Sequence, residues 1–102
     1  EVKVKFTPSD EIENYMSIVL PIADVEDADN EYGGDSFLIN VIEYAETQWY
    51  CSRKEGIVEM SFTYVTGTFQ DFYVNEEYVI LTLAYDKDGG KQIIRTHFIP
   101  LE

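Results

Sequence analysis

Cys51 and His97 are the side chains of this sequence that could form a nucleophilic pair, and each is the sole residue of its type. A cysteine nucleophile needs a base such as histidine within hydrogen-bond reach. One cysteine with one histidine also falls short of the four ligands of a structural zinc site. Cys51 follows Trp49 and Tyr50 at the end of a predicted helix, where we expect it to pack as a small buried hydrophobe. The sequence therefore predicts neither an enzyme nor a cofactor, and no catalytic residue is assigned.

A second chemistry is offered by the oxygen-rich segment 24–31, because hard cations such as calcium bind oxygen ligands. The spacing departs from the EF-hand pattern: Gly33 is one position late for Asp27 as first ligand, and Leu38 stands where the bidentate glutamate belongs. We therefore predict a solvated acidic loop and no metal. The alternative is a weak cation site whose ligands would be Asp24, Glu26, Asp27, Asp29 and Glu31.

The formal net charge of −13 excludes nucleic acid as a partner and disfavours anionic membranes, since both repel an acidic surface. No lysine or arginine occurs between Phe6 and Ser52. No apolar run approaches the length that spans a bilayer, so we predict no membrane insertion of this domain. Solubility explains such a charge first, and an acidic decoy for a basic partner is the alternative.

Three aromatic residues are candidates for ligand contact: Tyr32, Trp49 and Tyr50. Exposed aromatic rings give binding modules large contact areas. Trp49 continues the helical spacing of Leu38 and Ile42, which favours packing of that ring onto the core. Tyr32 and Tyr50 fall outside this apolar stripe and are therefore the stronger candidates.

The elements that position these side chains are mostly strands. Clean alternation predicts a strand at 2–6, and a second is predicted at 14–22, with Pro21 at its end. Amphipathic spacing predicts one helix at about 36–49, capped by Asp35 or Ser36. The segment 57–65 fits a strand or a helix. Further strands are predicted at 68–72, 77–85 and 91–99. We expect one domain over 1–102, with residues 101–102 a remnant of cloning.

The segment 77–85 is apolar on both faces, which indicates a central strand covered on two sides. An Asp-x-Asp-Gly-Gly turn follows it and predicts a hairpin. Phe72 and Tyr78 precede this strand with the spacing of a tyrosine corner, in which the tyrosine hydroxyl bonds backbone a few residues upstream.

These features resemble fibronectin type III domains, although Val74 and Glu76 stand where that family often has proline and threonine. The chain is similar to the type III-like domains of Bacteroidetes surface and periplasmic lipoproteins in its Thr7-Pro8-Ser9-Asp10 segment, its acidic helical insertion before Gly67, and the closing Thr96-His97-Phe98. Such domains usually carry one more strand before the Thr-Pro-Ser strand, and a partner could supply it.

The resemblance implies a mainly β, fibronectin type III or immunoglobulin-like antiparallel sandwich with one inserted helix. It also implies a non-catalytic binding or structural module of an exported bacterial protein or lipoprotein, located in the periplasm or on the cell surface. A protein or glycan partner is expected, and a lipid anchor upstream is compatible with this location. The oligomeric state is left open. The alternative is an acidic cytoplasmic inhibitor, such as an immunity protein or DNA mimic, that occludes a basic partner.

Overall fold

The computed structural model describes residues 2–101 of the chain. It contains five strands and two helices, in the chain order β1 (Val2–Phe6), β2 (Ile12–Pro21), α1 (Ile22–Glu31), α2 (Asp35–Thr47), β3 (Val58–Phe62), β4 (Tyr78–Asp86) and β5 (Lys91–Phe98). The strands form two antiparallel sheets, one with the order β2-β4-β5 and the other with β1 and β3. The mainly β character is confirmed, but the helices number two rather than one.

Strand β4 lies in the centre of the three-stranded sheet, and every residue from Tyr78 to Ala84 is buried. Because side chains alternate along a strand, the two faces of β4 enter different cores. Val79, Leu81 and Leu83 pack in the cluster that includes the helices, whereas Tyr78 and Ile80 pack in the other cluster. The prediction of a central strand covered on both sides is therefore confirmed.

The helices cover one face of the three-stranded sheet. Their buried residues are Val25 and Ala28 from α1, with Leu38, Ile42 and Ala45 from α2. These side chains meet Met16 and Ile18 of β2 and the helix-facing residues of β4 in one apolar cluster. At about 1.5–3 kcal/mol for each large apolar side chain buried, this layer supplies a major part of the stabilisation of the sheet.

The two-stranded sheet covers the opposite face. Strand β1 pairs with β3 from Val2 opposite Phe62 to Phe6 opposite Val58. Val4, Phe6 and Phe62 turn toward the second cluster, while Lys3 and Lys5 are exposed. The alternation predicted for 2–6 is confirmed, and the segment 57–65 is a strand over its middle part.

The acidic segment predicted as a loop is wrong, because residues 22–31 form helix α1. Ile22, Val25 and Ala28 recur every third residue, and the last two become fully buried against the sheet. Packing of such a stripe stabilises a short helix whose aspartates have low helix propensity. Gly33 and Gly34, with φ of +92° and +64°, reverse the chain into α2.

Helix α2 begins at Asp35 and ends at Thr47, two residues before the predicted end. Its N-cap residue is Gly34 and no side chain caps the first turn, so the capping role predicted for Asp35 or Ser36 is wrong. Neither α1 nor α2 is long and apolar enough to cross a membrane.

The strand predicted at 68–72 does not form. Residue Asp71 makes an isolated antiparallel bridge with Tyr64, and Phe69 has a φ of +58° that no strand accommodates. Strand β2 begins at Ile12, earlier than predicted, and ends at Pro21. The remaining predicted strands appear with small shifts of their ends, as β4 and β5.

Candidate functional site

The chain after helix α2 turns Trp49 outward. Trp49 N–H donates to Glu46 O at 3.1 Å and Tyr50 N–H donates to Ala45 O at 3.0 Å, which are the two hydrogen bonds of a Schellman motif. In this motif the residue after the C-cap adopts a left-handed backbone, and that residue is usually glycine. Here it is Trp49, with a φ of +64°.

Trp49 is 93% exposed, so the prediction that its ring packs onto the core is wrong. The helical spacing that suggested packing ends with the helix, and the left-handed turn rotates the ring away from the apolar stripe. A bulky residue in this conformation is strained, and strain of this kind concentrates at functional sites. The exposed, strained tryptophan therefore marks the surface at the C-terminal end of α2 as a candidate site.

A groove begins at the next residue, Tyr50. It runs between β3 and the outer edge of β2, and its volume is about 390 Å³. Tyr50, Tyr64 and Phe69 contribute aromatic rings, and all three are exposed. We call this feature the aromatic groove; its polar lining residues include Ser17, Lys54, Glu59, Ser61 and Thr66.

Phe69 repeats the combination seen at Trp49. It is 61% exposed and has a left-handed backbone with a φ of +58°. Its ring meets the ring of Tyr50 edge to face, with centroids 5.5 Å apart. Two aromatic residues with unfavourable backbone geometry thus flank Tyr50, one in sequence and one in space.

Both loops that carry these rings are fastened to the edge of β2. Thr66 N–H donates to Val19 O, and the Thr66 hydroxyl accepts from Val19 N–H at 2.9 Å. Lys54 and Tyr15 exchange two backbone hydrogen bonds, at 2.7 and 3.0 Å. These contacts satisfy backbone groups that an edge strand would otherwise leave open, and they hold the groove walls in place.

Tyr32 lies at the other end of α2. Its ring is exposed and stacks on Phe37, with centroids 4.9 Å apart. A helix of 13 residues is roughly 20 Å long at 1.5 Å per residue, so Tyr32 and Tyr50 occupy separate surfaces. Of the three candidates for ligand contact, the structure groups only Trp49 and Tyr50.

The acids of the predicted cation loop lie on α1, and the best placed of them is bonded to a cation of the protein. Arg95 donates two hydrogen bonds to Asp29, at 2.7 and 2.8 Å, and one to Asp35 at 2.7 Å. These contacts hold the pKa of Asp29 below its usual value. Within residues 2–101, no group of three or more histidine, cysteine or acidic side chains is arranged to hold a metal ion.

Cys51 and His97 do not form a pair. The Cys51 thiol lies 3.9 Å from Ile42 O, and His97 Nδ1 is 2.7 Å from Glu77 Oε2. Burial raises the pKa of the Cys51 thiol to about 11, with a smaller contribution from the nearby Glu46 carboxylate. The thiol is therefore protonated at neutral pH and is a poor nucleophile.

Phe72 and Tyr78 form a structural corner below β4. Tyr73 N–H donates to the Tyr78 hydroxyl at 2.8 Å, and the rings of Phe72 and Tyr78 have centroids 4.9 Å apart. Phe98 completes the aromatic cluster, 5.4 Å from Phe72 and 5.7 Å from Tyr78.

Sequence reasoning missed Phe69 and Tyr64 as candidates, since both were placed within predicted strands. The signal that could have revealed Phe69 is the turn-forming Thr66-Gly67-Thr68 that precedes it. Comparison of the chain with protein-family models, curated proteins and solved structures finds no match, so the groove must be interpreted from its own geometry.

Proposed function

We propose that the chain is a non-catalytic recognition module of an exported bacterial protein, and that it contacts a protein or glycan through the aromatic groove. The observation that carries this proposal is Trp49, which combines a 93% exposed ring with a left-handed backbone. Neither property favours folding, because the ring buries little apolar area and the backbone is strained. Contact with a ligand would account for both.

The groove lining supports recognition of a ligand with polar and apolar surface. Its rings offer flat apolar area, while its hydroxyls, Lys54 and Glu59 offer hydrogen bonds of both kinds. A surface of this composition fits a sugar chain or an extended polypeptide segment. The lining contains one basic and two or fewer acidic groups near the rings, so the ligand need not be strongly charged.

The strand pairing supports a fibronectin type III-like sandwich as the fold of this module. In immunoglobulin-type folds, strands B and E pair in one sheet and strands C, F and G form the other. Strands β1 and β3 correspond to B and E, and β2, β4 and β5 to C, F and G. Tyr78 then stands at the start of strand F, where the tyrosine corner belongs.

Two departures from that pattern define this chain. Helices α1 and α2 occupy the connection between β2 and β3, and they cover a sheet face that such sandwiches usually leave to solvent. Among residues 2–101, no strand corresponds to the first strand of the family.

The acidic-inhibitor alternative predicts carboxylates gathered on one face. Of the acidic residues in 2–101, eight lie on the two helices and ten lie elsewhere. On the helices, Asp29, Asp35, Glu43 and Glu46 bind arginine or lysine side chains. The spread of the acids and the neutralisation of these four favour the recognition module.

The test uses the natural probe in the groove, since Trp49 is the sole tryptophan. Its fluorescence is to be followed while the protein is titrated with a panel of neutral oligosaccharides and a panel of unstructured peptides. Binding should shift the emission to shorter wavelength, and Phe69→Ala should weaken it. Tyr32→Ala, at the far end of α2, is the matched control and should leave binding unchanged. A ligand bound equally well by all three proteins would contradict the proposal.

Export is tested separately, at the gene. The resemblance to surface and periplasmic lipoproteins predicts a signal peptide with a lipid-modified cysteine encoded upstream of Glu1. A cytoplasmic location of the protein in cell fractions would favour the inhibitor instead.

A further inference from the structure

A second surface, apart from the aromatic groove, is the outer edge of β1. Within residues 2–101, β1 pairs only with β3, and no other backbone hydrogen bond reaches Val2–Phe6. Alternate residues of β1 therefore present unpaired N–H and C=O groups along the edge that faces away from β3. The outer edge of β2, by comparison, is bridged by Lys54 and Thr66.

A groove of about 290 Å³ lies beside this edge. Phe6 and Pro8 form one wall, and Thr82, Ala84 and Ile94 of the three-stranded sheet are among the residues opposite. Ile94 pairs with Thr82, which is buried beneath the two-stranded sheet. Ile94 is nevertheless 50% exposed, because β1 and β3 do not extend across β5. The second core is therefore uncovered at β5.

Charge specifies what could cover it. The ion pairs among the described residues occupy Arg53, Lys91 and Arg95, all on the side of the helices, but none involves Lys3 or Lys5. Both lysines are exposed on β1, on the face turned away from the core. In a chain of net charge −13, this strand is a local positive site.

We propose that the outer edge of β1 and the groove beside it receive an extended segment of a partner polypeptide in which apolar and acidic side chains alternate. The backbone of that segment pairs with the open groups of β1 as an added strand. Its apolar side chains face Ile94, and its acidic side chains lie next to Lys3 and Lys5. Opposite charges on neighbouring strands stabilise the pairing.

A second copy of this chain is a poor occupant. Antiparallel pairing of two β1 strands would set lysines against lysines, and it would bring together two molecules that each carry a charge of −13. The lysines therefore disfavour self-pairing, as charged residues on sheet edges commonly do.

The experiment uses a seven-residue peptide of alternating glutamate and valine, blocked at both ends, and the matched peptide with lysine in place of glutamate. Binding to the ¹⁵N-labelled full chain is followed by NMR. The acidic peptide should shift the amide signals of β1 and β5 and slow the hydrogen exchange of alternate β1 amides. The lysine peptide should bind roughly tenfold or more weakly, given that each cross-strand charge pair changes sign.

Lys3→Glu with Lys5→Glu is the variant that tests the charge argument, and both positions are exposed, so the fold should survive. This variant should reverse the preference between the two peptides. An acidic peptide methylated on alternate backbone nitrogens should lose binding, since it cannot complete the strand pairing. The proposal is overturned if neither peptide protects β1, if the double variant keeps the original preference, or if the protein instead dimerises through β1.

Discussion

Trp49 is the residue at which folding and recognition make opposite demands. Glycine adopts the left-handed conformation without strain, so Trp49→Gly should raise the free energy of unfolding by about 1 kcal/mol. The exposed ring contributes too little packing to offset this gain. Urea denaturation measures the change.

Asn40→Gly is the control for Trp49→Gly, because Asn40 is exposed in the middle of α2, where glycine lowers stability. Loss of stability in Trp49→Gly would show that the ring supports the fold and would remove the argument that it serves a ligand.

Cys51 should be unreactive in the native protein. With a pKa of about 11 in place of 9.0, roughly a hundredfold less thiolate is present at pH 8 than in the unfolded chain. Alkylation by iodoacetamide should therefore be at least that much slower in buffer than in urea. The sign for stability follows: the folded state holds its proton more tightly, so stability falls as pH rises above 9 toward 11. Equal alkylation rates with and without urea would contradict the buried placement of the thiol.

At the scale of elements, the corner at Tyr78 joins the 72–77 segment to β4. Tyr78→Phe removes the acceptor for Tyr73 N–H, and we expect a loss of about 1 kcal/mol or more in the free energy of unfolding. Tyr73→Phe is the matched control, since that ring is largely exposed. Urea denaturation of both variants makes the comparison, and equal stabilities would argue against a structural corner.

Arg95 of β5 ties both helices to the sheet through Asp29 of α1 and Asp35 of α2. The pKa of Asp29 is lowered in the folded state, so the stabilisation is present above its unfolded value of about 3.8 and is lost as pH falls through the folded value. Arg95→Gln should therefore lower the melting temperature at pH 7 and have little effect at pH 2. Lys87→Gln, in the β4–β5 turn, controls for loss of one charge. A pH-independent difference would exclude this carboxylate as its cause.

The elements that the sequence predicted well are those whose pattern is carried by their own residues. Alternation placed β1, Pro21 ended β2, and apolar residues on both faces identified β4 as central. Helix α1 was missed because only Val25 and Ala28 become buried, and the contact that stabilises them comes from a distant sheet. Its acidic composition is typical of loops, and nothing local to the segment contradicts that interpretation.

The candidate site was half predicted, for a related reason. Tyr50 and Trp49 were named, but Trp49 was expected to pack inward, since its spacing continues the apolar stripe. The helix ends before that stripe does, and a tryptophan at a position that usually carries glycine gives no warning of the end. Phe69 joins the site only through the fold, across the contact with Tyr50.

At the scale of the whole molecule, the charge of −13 should be neutralised by ions in general and by calcium in no special way. Calcium and magnesium at equal millimolar concentrations should raise the melting temperature by the same small amount, because no described acidic cluster is built to hold a cation. Differential scanning fluorimetry makes the comparison. A rise of several degrees with calcium alone would reveal a site that binds it.

The double burial of β4 has a consequence for how the strands find their alignment. Where only one face of a strand is apolar, sliding by one residue exposes the whole core, but β4 would keep apolar groups on both sides. The Ser17 and Thr82 hydroxyls, buried and 2.9 Å apart, are the exception. A shifted strand would separate them and leave two hydroxyls in an apolar layer without partners, which is costly. This small polar contact thus discriminates the native alignment from its nearest competitors, in a strand whose apolar residues cannot.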